Sequence, residues 1–447
     1  MSLPAPYSAT DKESFAYEST AKRLPIILTG VINDLYEVVR QEGDEAKATE
    51  GKVLTSVVGA LKYEIEHDRK LTPLDEDGGP TVAAYNDELA KLDASWFSAP
   101  WLFAECYLYR RLRVLFAKST HYTDYDPFRK TKLETFRSSQ AGVFALAKLL
   151  DRTLDKSHDP HQAWLELGQA QLWGNATDLS LLTNLTQADI TRLQAGSADK
   201  AHFILANDFE RAWQHVSQLK SARIDIVLDN DGFELLTDFV MADWLVSTSH
   251  CSTVIFHPKL IPWFVSDVTP HDFKTLFESL GDMSNFANAD EASPLPEDCD
   301  RVARMVERWL GHMKAGRWQL SVPLETPLGP DTSASDALRR AAFWTEASDF
   351  HAMPSELIAD LRKSGLVIFK GDLNMRKLLG DRRWPEDTPF AEALGPPAGQ
   401  FDLLALRTCK ADVVAGLKPG QAAELTAKDA RWRVSGSYAV VQFCPRK

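Results

Sequence analysis

Two textures of hydrophobic patterning divide the chain. Up to about residue 165 the apolar positions recur at helical spacing: Ile27, Val31, Leu35 and Val38 share one face, and Leu54, Val58, Leu61 and Ile65 repeat the pattern. The turn cluster DEDGGP at 75–80 then precedes an aromatic stretch, PWLFAECYLYRRLRVLFAKS, which predicts another long helix. Beyond that point short apolar runs alternate with amphipathic segments: FILA at 203, IDIVL at 224, TVIF at 253, LVIF at 366, LLAL at 403 and YAVVQF at 438. Strands that are apolar throughout, separated by helices, predict a mostly parallel sheet covered on both faces. The chain therefore reads as a helical unit over 1–165 and an α/β unit over 166–447. An acidic, proline-containing excursion at about 284–330 carries the helical pattern RVARMVERWLGHM.

Bulk properties narrow the function. At 447 residues, 44% hydrophobic and 25% charged, the chain has the profile of a globular protein of two or three structural units. A formal net charge of -13 gives no long-range attraction to nucleic acid or to an anionic membrane, so neither is expected as a partner. Any phosphate site must be a local basic pocket. No run approaches the roughly 18 apolar residues of a membrane span, and the start carries no secretory pattern. Cys106, Cys251, Cys299, Cys409 and Cys444 are scattered and form no CxxC pair, which fits reduced thiols and a cytoplasmic or nuclear setting.

In an open α/β sheet ligands bind beyond the carboxyl ends of the strands. Here four strand ends offer polar groups together: Asp229-Asn230-Asp231-Gly232, then Phe264-Val265-Ser266-Asp267 a little after TVIF, then Lys370-Gly371-Asp372-Leu373-Asn374, and Arg407-Thr408-Cys409-Lys410. Carboxylate and carboxamide oxygens are hard ligands suited to Mg²⁺ or Mn²⁺. Lys370 and Lys410 can offset phosphate charge, and Arg407 can offer a forked donor to phosphate or brace a carboxylate. The backbone N–H groups of the helix that follows can complete the cradle. Taken singly, Asp267 or Asp372 is most simply a helix cap and Lys370 a solvated charge. Asp229 followed by Asn230 exceeds what a single cap needs.

Competing motifs are weaker. His158-Asp159-Pro160-His161 lacks further metal ligands, and Asp229–Gly232 fails the EF-hand spacing. No dinucleotide fingerprint, phosphate loop or nucleophile elbow is present. Asp-x-Asp-Gly after an apolar strand resembles the haloacid-dehalogenase-type phosphatase motif, but Phe233 stands where that family keeps a small hydroxyl residue.

Taken jointly, Trp173-Gly174-Asn175-Ala176-Thr177-Asp178, Asp229-Asn230 with Gly232-Phe233-Glu234-Leu235, Pro262–Asp267, Lys370–Asn374 and the Arg-Thr-x-Lys signature at 407–410 resemble the damage-control phosphatase family. Pro100–Arg110 resembles the helical part of its sugar-phosphate branch. The resemblance implies a helical domain beside a Rossmann-like α/β domain and metal-dependent hydrolysis of small phosphorylated metabolites, with fructose 1-phosphate and related hexose phosphates as typical substrates. It carries catalytic metal ligation to Asp229, Asn230 and Asp267, with Mg²⁺ or Mn²⁺ expected and Co²⁺ or Ni²⁺ as further candidates. It carries substrate contacts to Asp229, Asn230, Lys370, Gly371, Asp372, Leu373, Asn374, Arg407 and Lys410, with Glu234 and Asn175 at matching motif positions. Asp231 departs from the small residue of relatives. Some relatives have also been assigned an S-adenosylmethionine-dependent carboxyl methyltransferase activity, but no glycine-rich loop for that donor is present.

Overall fold

The computed structural model describes residues 3–79, 81–174, 202–282 and 295–447. Its centre is a seven-stranded sheet made of β1 (Ile204–Asn207), β2 (Ala222–Val227), β3 (Cys251–His257), β4 (Trp318–Leu320), β5 (Leu366–Lys370), β6 (Leu403–Thr408) and β7 (Ala439–Cys444). The spatial order is β1-β7-β6-β5-β2-β3-β4, and every neighbouring pair is parallel except β6 with β7. The expected mostly parallel sheet with flanking helices is therefore present. From β2 the chain moves outward through β3 to β4, then returns to lay β5 on the other side of β2. The carboxyl ends of β2 and β5 thus flank a topological switch point, where open α/β sheets place their ligands.

Both sheet faces are covered by apolar cores, which is why the strands are mainly apolar on both sides. Ile224, Ile226, Val254, Phe256, Leu366 and Ile368 enter one core, while Val227, Val367, Phe369, Leu403 and Ala405 enter the other. On the first face lies the helix Phe233–Ser247, buried along all but its last residue. The helices Gln140–Thr153 and Pro160–Trp173 pack on this same face, although they precede β1 in sequence. The stretch 284–330 contributes its expected helix, Pro296–Lys314, and also the edge strand β4.

A separate apolar core joins the N-terminal helices Leu24–Gln41, Glu45–Glu66, Thr81–Leu92 and Trp101–Ala117. Val31, Leu35, Leu54, Val58, Leu61 and Ile65 are buried in it, as the helical spacing predicts, whereas Ile27 and Val38 pack against it only partly buried and Leu28 takes the inner place beside them. Ile261 and Trp263, from the loop after β3, and Leu373, from the helix Gly371–Leu378, enter the same core, so the helical bundle sits against the switch point. No helix among the described residues is long and apolar enough to cross a membrane.

One buried ion cluster fastens the bundle side to the sheet. Lys132, on the helix Arg129–Arg137, reaches Asp272 at 2.8 Å, Asp126 at 3.1 Å and the carbonyl oxygen of Asp267 at 3.2 Å. Removing its ammonium leaves two buried carboxylates without their counterion. Lys132→Met is expected to cost about 3–5 kcal/mol of stability. The midpoint of urea unfolding measures it, and an unchanged midpoint contradicts the assignment.

Candidate active site

The switch point brings together most of the strand-end residues. Asp229 and Asp267 are both buried, and the backbone of Asn230 pairs with that of Asp267 in an isolated antiparallel bridge. The bridge is closed by the amide of Val268 donating to Asp229 O (2.9 Å) and that of Asp231 donating to Ser266 O (2.7 Å). Asn230 Nδ2 donates to Asp229 Oδ2 (2.7 Å) and Glu234 Oε2 (2.8 Å), while Ser266 Oγ donates to Asn230 Oδ1. A half-turn of that carboxamide exchanges the roles, making Ser266 Oγ the acceptor and turning an oxygen toward Asp229. The position therefore suits a cation-facing amide as well as a hydrogen-bonded one.

Positive charge is supplied from three directions. The Lys259 ammonium lies 2.9 Å from Asp267 Oδ2 and donates to Leu228 O at 2.7 Å. That ion pair is close, yet Asp267 Oδ2 has no well-directed hydrogen bond. Lys370 spans two acids on one helix face, Asp238 Oδ1 at 2.6 Å and Glu234 Oε1 at 3.1 Å, as the i, i+4 spacing of Glu234 and Asp238 permits. Lys410 is half-buried, and Asp229, Glu234 and Asp372 are its electrostatic neighbours.

The Arg407–Lys410 signature has a visible structural logic. Arg407 donates through Nε to Asp372 Oδ1 (2.7 Å) and through its terminal nitrogens to Val413 O and to Ala411 O, thereby shaping the loop after β6. Asp372 Oδ1 also accepts from the Lys410 amide (3.0 Å), fixing where that residue leaves the strand. Burial would raise the Asp372 carboxyl, but Arg407 and Arg376 hold it below its ordinary value.

Backbone proximity at the switch point depends on Gly371. Its φ is +80°, and a Cβ there would fall 1.8 Å from Asp229 Oδ2. Asn374 staples the two strand ends, donating to Lys370 O (2.7 Å) and Leu228 O (3.1 Å). Leu373 packs its side chain into the N-terminal core. Asn175 lies outside the described residues, as do Ala176, Thr177 and Asp178.

The acids are crowded beyond what these lysines neutralise. Burial, then Asp267 and Glu234, push the Asp229 carboxyl well above the carboxylate range, against the pull of Lys259 and Lys410. Burial likewise lifts Asp267 to about 6, despite Lys259. Among the described residues no group of three or more His, Cys, Asp or Glu side chains is arranged to hold a metal. The candidate set is instead two carboxylates and a carboxamide. Its hard oxygens, the poorly directed Lys259 contact and the glycine that lets the backbone approach Asp229 fit a hydrated divalent cation.

Asp231 turns to a different neighbourhood. Its charged neighbours are Asp272, Lys132 and Asp126, and burial with Asp272 lifts its carboxyl to about 8.

The loop carrying Asp267 is unusual in its backbone. Phe264 and Val265 have φ of +44° and +70°, and the Ser266 amide donates to Phe264 O at 2.9 Å, closing a three-residue turn of the positive-φ type. Such conformations cost on the order of 1–3 kcal/mol each for non-glycine residues, most for a β-branched one, and persist only where surrounding contacts impose them.

Fold and site together define a doubly wound α/β protein with clustered acids and ammonium groups at its switch point, faced by a helical bundle. The family model described as the damage-control phosphatase ARMT1-like domain matches residues 19–425. The chain is 36% identical to the mouse protein named damage-control phosphatase ARMT1, over 98% of each chain. It is 34% identical to the human protein of that name, over 99% of this chain and 98% of that one. A crystal structure of a DUF89 family protein from Pyrococcus horikoshii superposes with a TM-score of 0.40 at 15% identity, covering 94% of this chain and 96% of that one. The chain belongs to the damage-control phosphatase ARMT1-like family.

Proposed function

We propose that this protein is a metal-dependent phosphomonoesterase acting on small phosphorylated metabolites, with hexose phosphates such as fructose 1-phosphate as its substrate class. The observation that carries the reading is the packing of Asp229, Asp267 and Glu234 at the β2/β5 switch point with Lys410 beside them. Membership in a family of damage-control phosphatases supports it independently.

Asp229, Asn230 and Asp267 would hold the cation, which when bound supplies a Lewis acid for the phosphoryl group. The chain's own groups do the rest. Lys410 is placed to meet phosphate charge, because its amide is pinned by Asp372 while its ammonium faces Asp229 and Glu234. Lys370 and Arg407 act by organisation: one holds the Glu234–Asp238 helix face to the end of β5, the other shapes the loop that presents Lys410. Glu234 accepts from the Asn230 carboxamide in its hydrogen-bonded orientation and adds negative charge beside Asp229. Positioning and charge neutralisation supply most of phosphoryl-transfer catalysis, and these residues are placed to provide both.

The test is a screen of metals against metabolites. Chelator-stripped protein should be inactive toward p-nitrophenyl phosphate and hexose phosphates, and Mg²⁺, Mn²⁺, Co²⁺ or Ni²⁺ should restore turnover. Full hydrolysis after stripping refutes the metal reading. Asp231 separates this site from a dehalogenase-type one, where it is the general acid. Because it faces Lys132 and Asp272, Asp231→Asn should keep activity within about threefold, whereas removal of a general acid costs roughly 10²–10⁴-fold.

A further inference from the structure

The strained turn before Asp267 needs something to hold it, and the sheet alone does not provide it. On the strand side the loop is zipped by the Asn230–Asp267 bridge and by Lys259 N donating to Val268 O at 2.8 Å. On the other side, Phe264 and Val265 pack against the N-terminal helical core. The closest ring contact is Tyr109, buried on the helix Trp101–Ala117, whose ring stacks on Phe264 at 4.8 Å between centroids and 28° between planes. Tyr109 also meets Trp263 and Phe128, each at 5.9 Å, so the stacking ring is itself locked.

Within three residues the chain passes from a ring clamped by the bundle, through a β-branched residue at positive φ, to Ser266 and Asp267. If Val265 relaxes to its preferred negative φ, the peptide that follows rotates, Ser266 Oγ leaves Asn230 and the Asp267 carboxylate shifts from its place beside Lys259. We infer that Tyr109 is a positioning residue for the Asp267 carboxylate, acting through the strained turn at Val265, so that the helical bundle sets how well the switch point holds a cation. The inference rests on the metal-site reading only for its cation-binding arm.

The experiment uses the full chain and two readouts: Mn²⁺ affinity by titration calorimetry without substrate, and hydrogen exchange of the Ser266, Asp267 and Val268 amides without metal. Tyr109→Leu keeps apolar volume but removes the ring face. It should weaken Mn²⁺ binding by about 10- to 100-fold, the usual cost of losing a group that orients a ligand, and speed exchange at those three amides.

Val265→Gly in the same background should bring both readouts most of the way back, because glycine adopts positive φ without strain. A role confined to core packing would not be rescued by deleting a second side chain. Phe264→Leu, at a half-buried position, removes the same stack from the other partner and is expected to behave alike, which keeps the test decisive if Tyr109→Leu fails to fold.

Unchanged affinity and exchange in these variants, or losses that Val265→Gly does not reverse, overturn the inference and leave the metal reading standing. Wild-type protein that takes up no Mn²⁺, with the exchange pattern as described, sinks the metal reading and leaves the positioning role intact.

Discussion

Asp229→Asn and Asp267→Asn should each lower phosphatase turnover by at least about 10²- to 10³-fold, the usual effect of removing one preorganised electrostatic group from a reaction centre. Their effects on stability should diverge. Asp229 lies in a crowd of like charges, with burial, Asp267 and Glu234 all opposing its ionisation. Replacing it with a neutral isostere relieves that repulsion, so the thermal midpoint should stay level or rise. Asp267 is the ion-pair partner of Lys259, whose ammonium is buried with it. Asn there leaves that ammonium short of a counterion, and the midpoint should fall, with a cost up to about 3–5 kcal/mol. Steady-state kinetics beside calorimetric melting reads both. Wild-type turnover in either variant refutes the assignment of the site, and equal stability of the two refutes the account of its electrostatics.

Gly371→Ala should be nearly as damaging to turnover as loss of a ligand. The added Cβ would sit 1.8 Å from Asp229 Oδ2 and 2.2 Å from its Cγ, so either the carboxylate or the start of the helix Gly371–Leu378 must move. A shift of about 1 Å at a reacting centre can cost 10²-fold. Gly420 makes the control. Its φ is +82°, close to the +80° of Gly371, but nothing lies within 4 Å of where its Cβ would be. Gly420→Ala should therefore show only the left-handed backbone cost, about 1–2 kcal/mol, with kcat unchanged. Similar kinetics in the two variants would falsify the steric explanation and return the effect to backbone strain alone.

Much of the sheet was legible because its strands are apolar on both faces and bounded by turn residues. The runs beginning at 203, 224, 253, 366, 403 and 438 all fall on strands. β4 escaped because three residues, Trp318-Gln319-Leu320, carry no period. The antiparallel placement of β7 against β6 was equally invisible, since a two-faced apolar run looks the same in either direction.

At the site, the rule that ligands gather beyond strand ends found Asp229, Asn230, Asp267, Asp372 and Lys410. It should also have found Lys259, two residues past the end of β3. Asp238 required the recognition that one turn separates it from Glu234. Lys132 and Tyr109 had no local signal. Their partners Asp272 and Phe264 lie more than a hundred residues away in sequence, and only the packing of the bundle against the mouth brings them together.

The position of β1 has a consequence for how the molecule is made. Among the described residues its neighbour in the sheet is β7, Ala439–Cys444, so this edge cannot form until that segment has been made. Until then Ile204, and the β6 flank that β7 will cover, stay open to solvent or to chaperones. Pairing across so long a loop is slow and exposes apolar surface meanwhile. Truncation before residue 439 should therefore leave a nascent product prone to aggregation, even though every group of the proposed reaction centre has by then been synthesised.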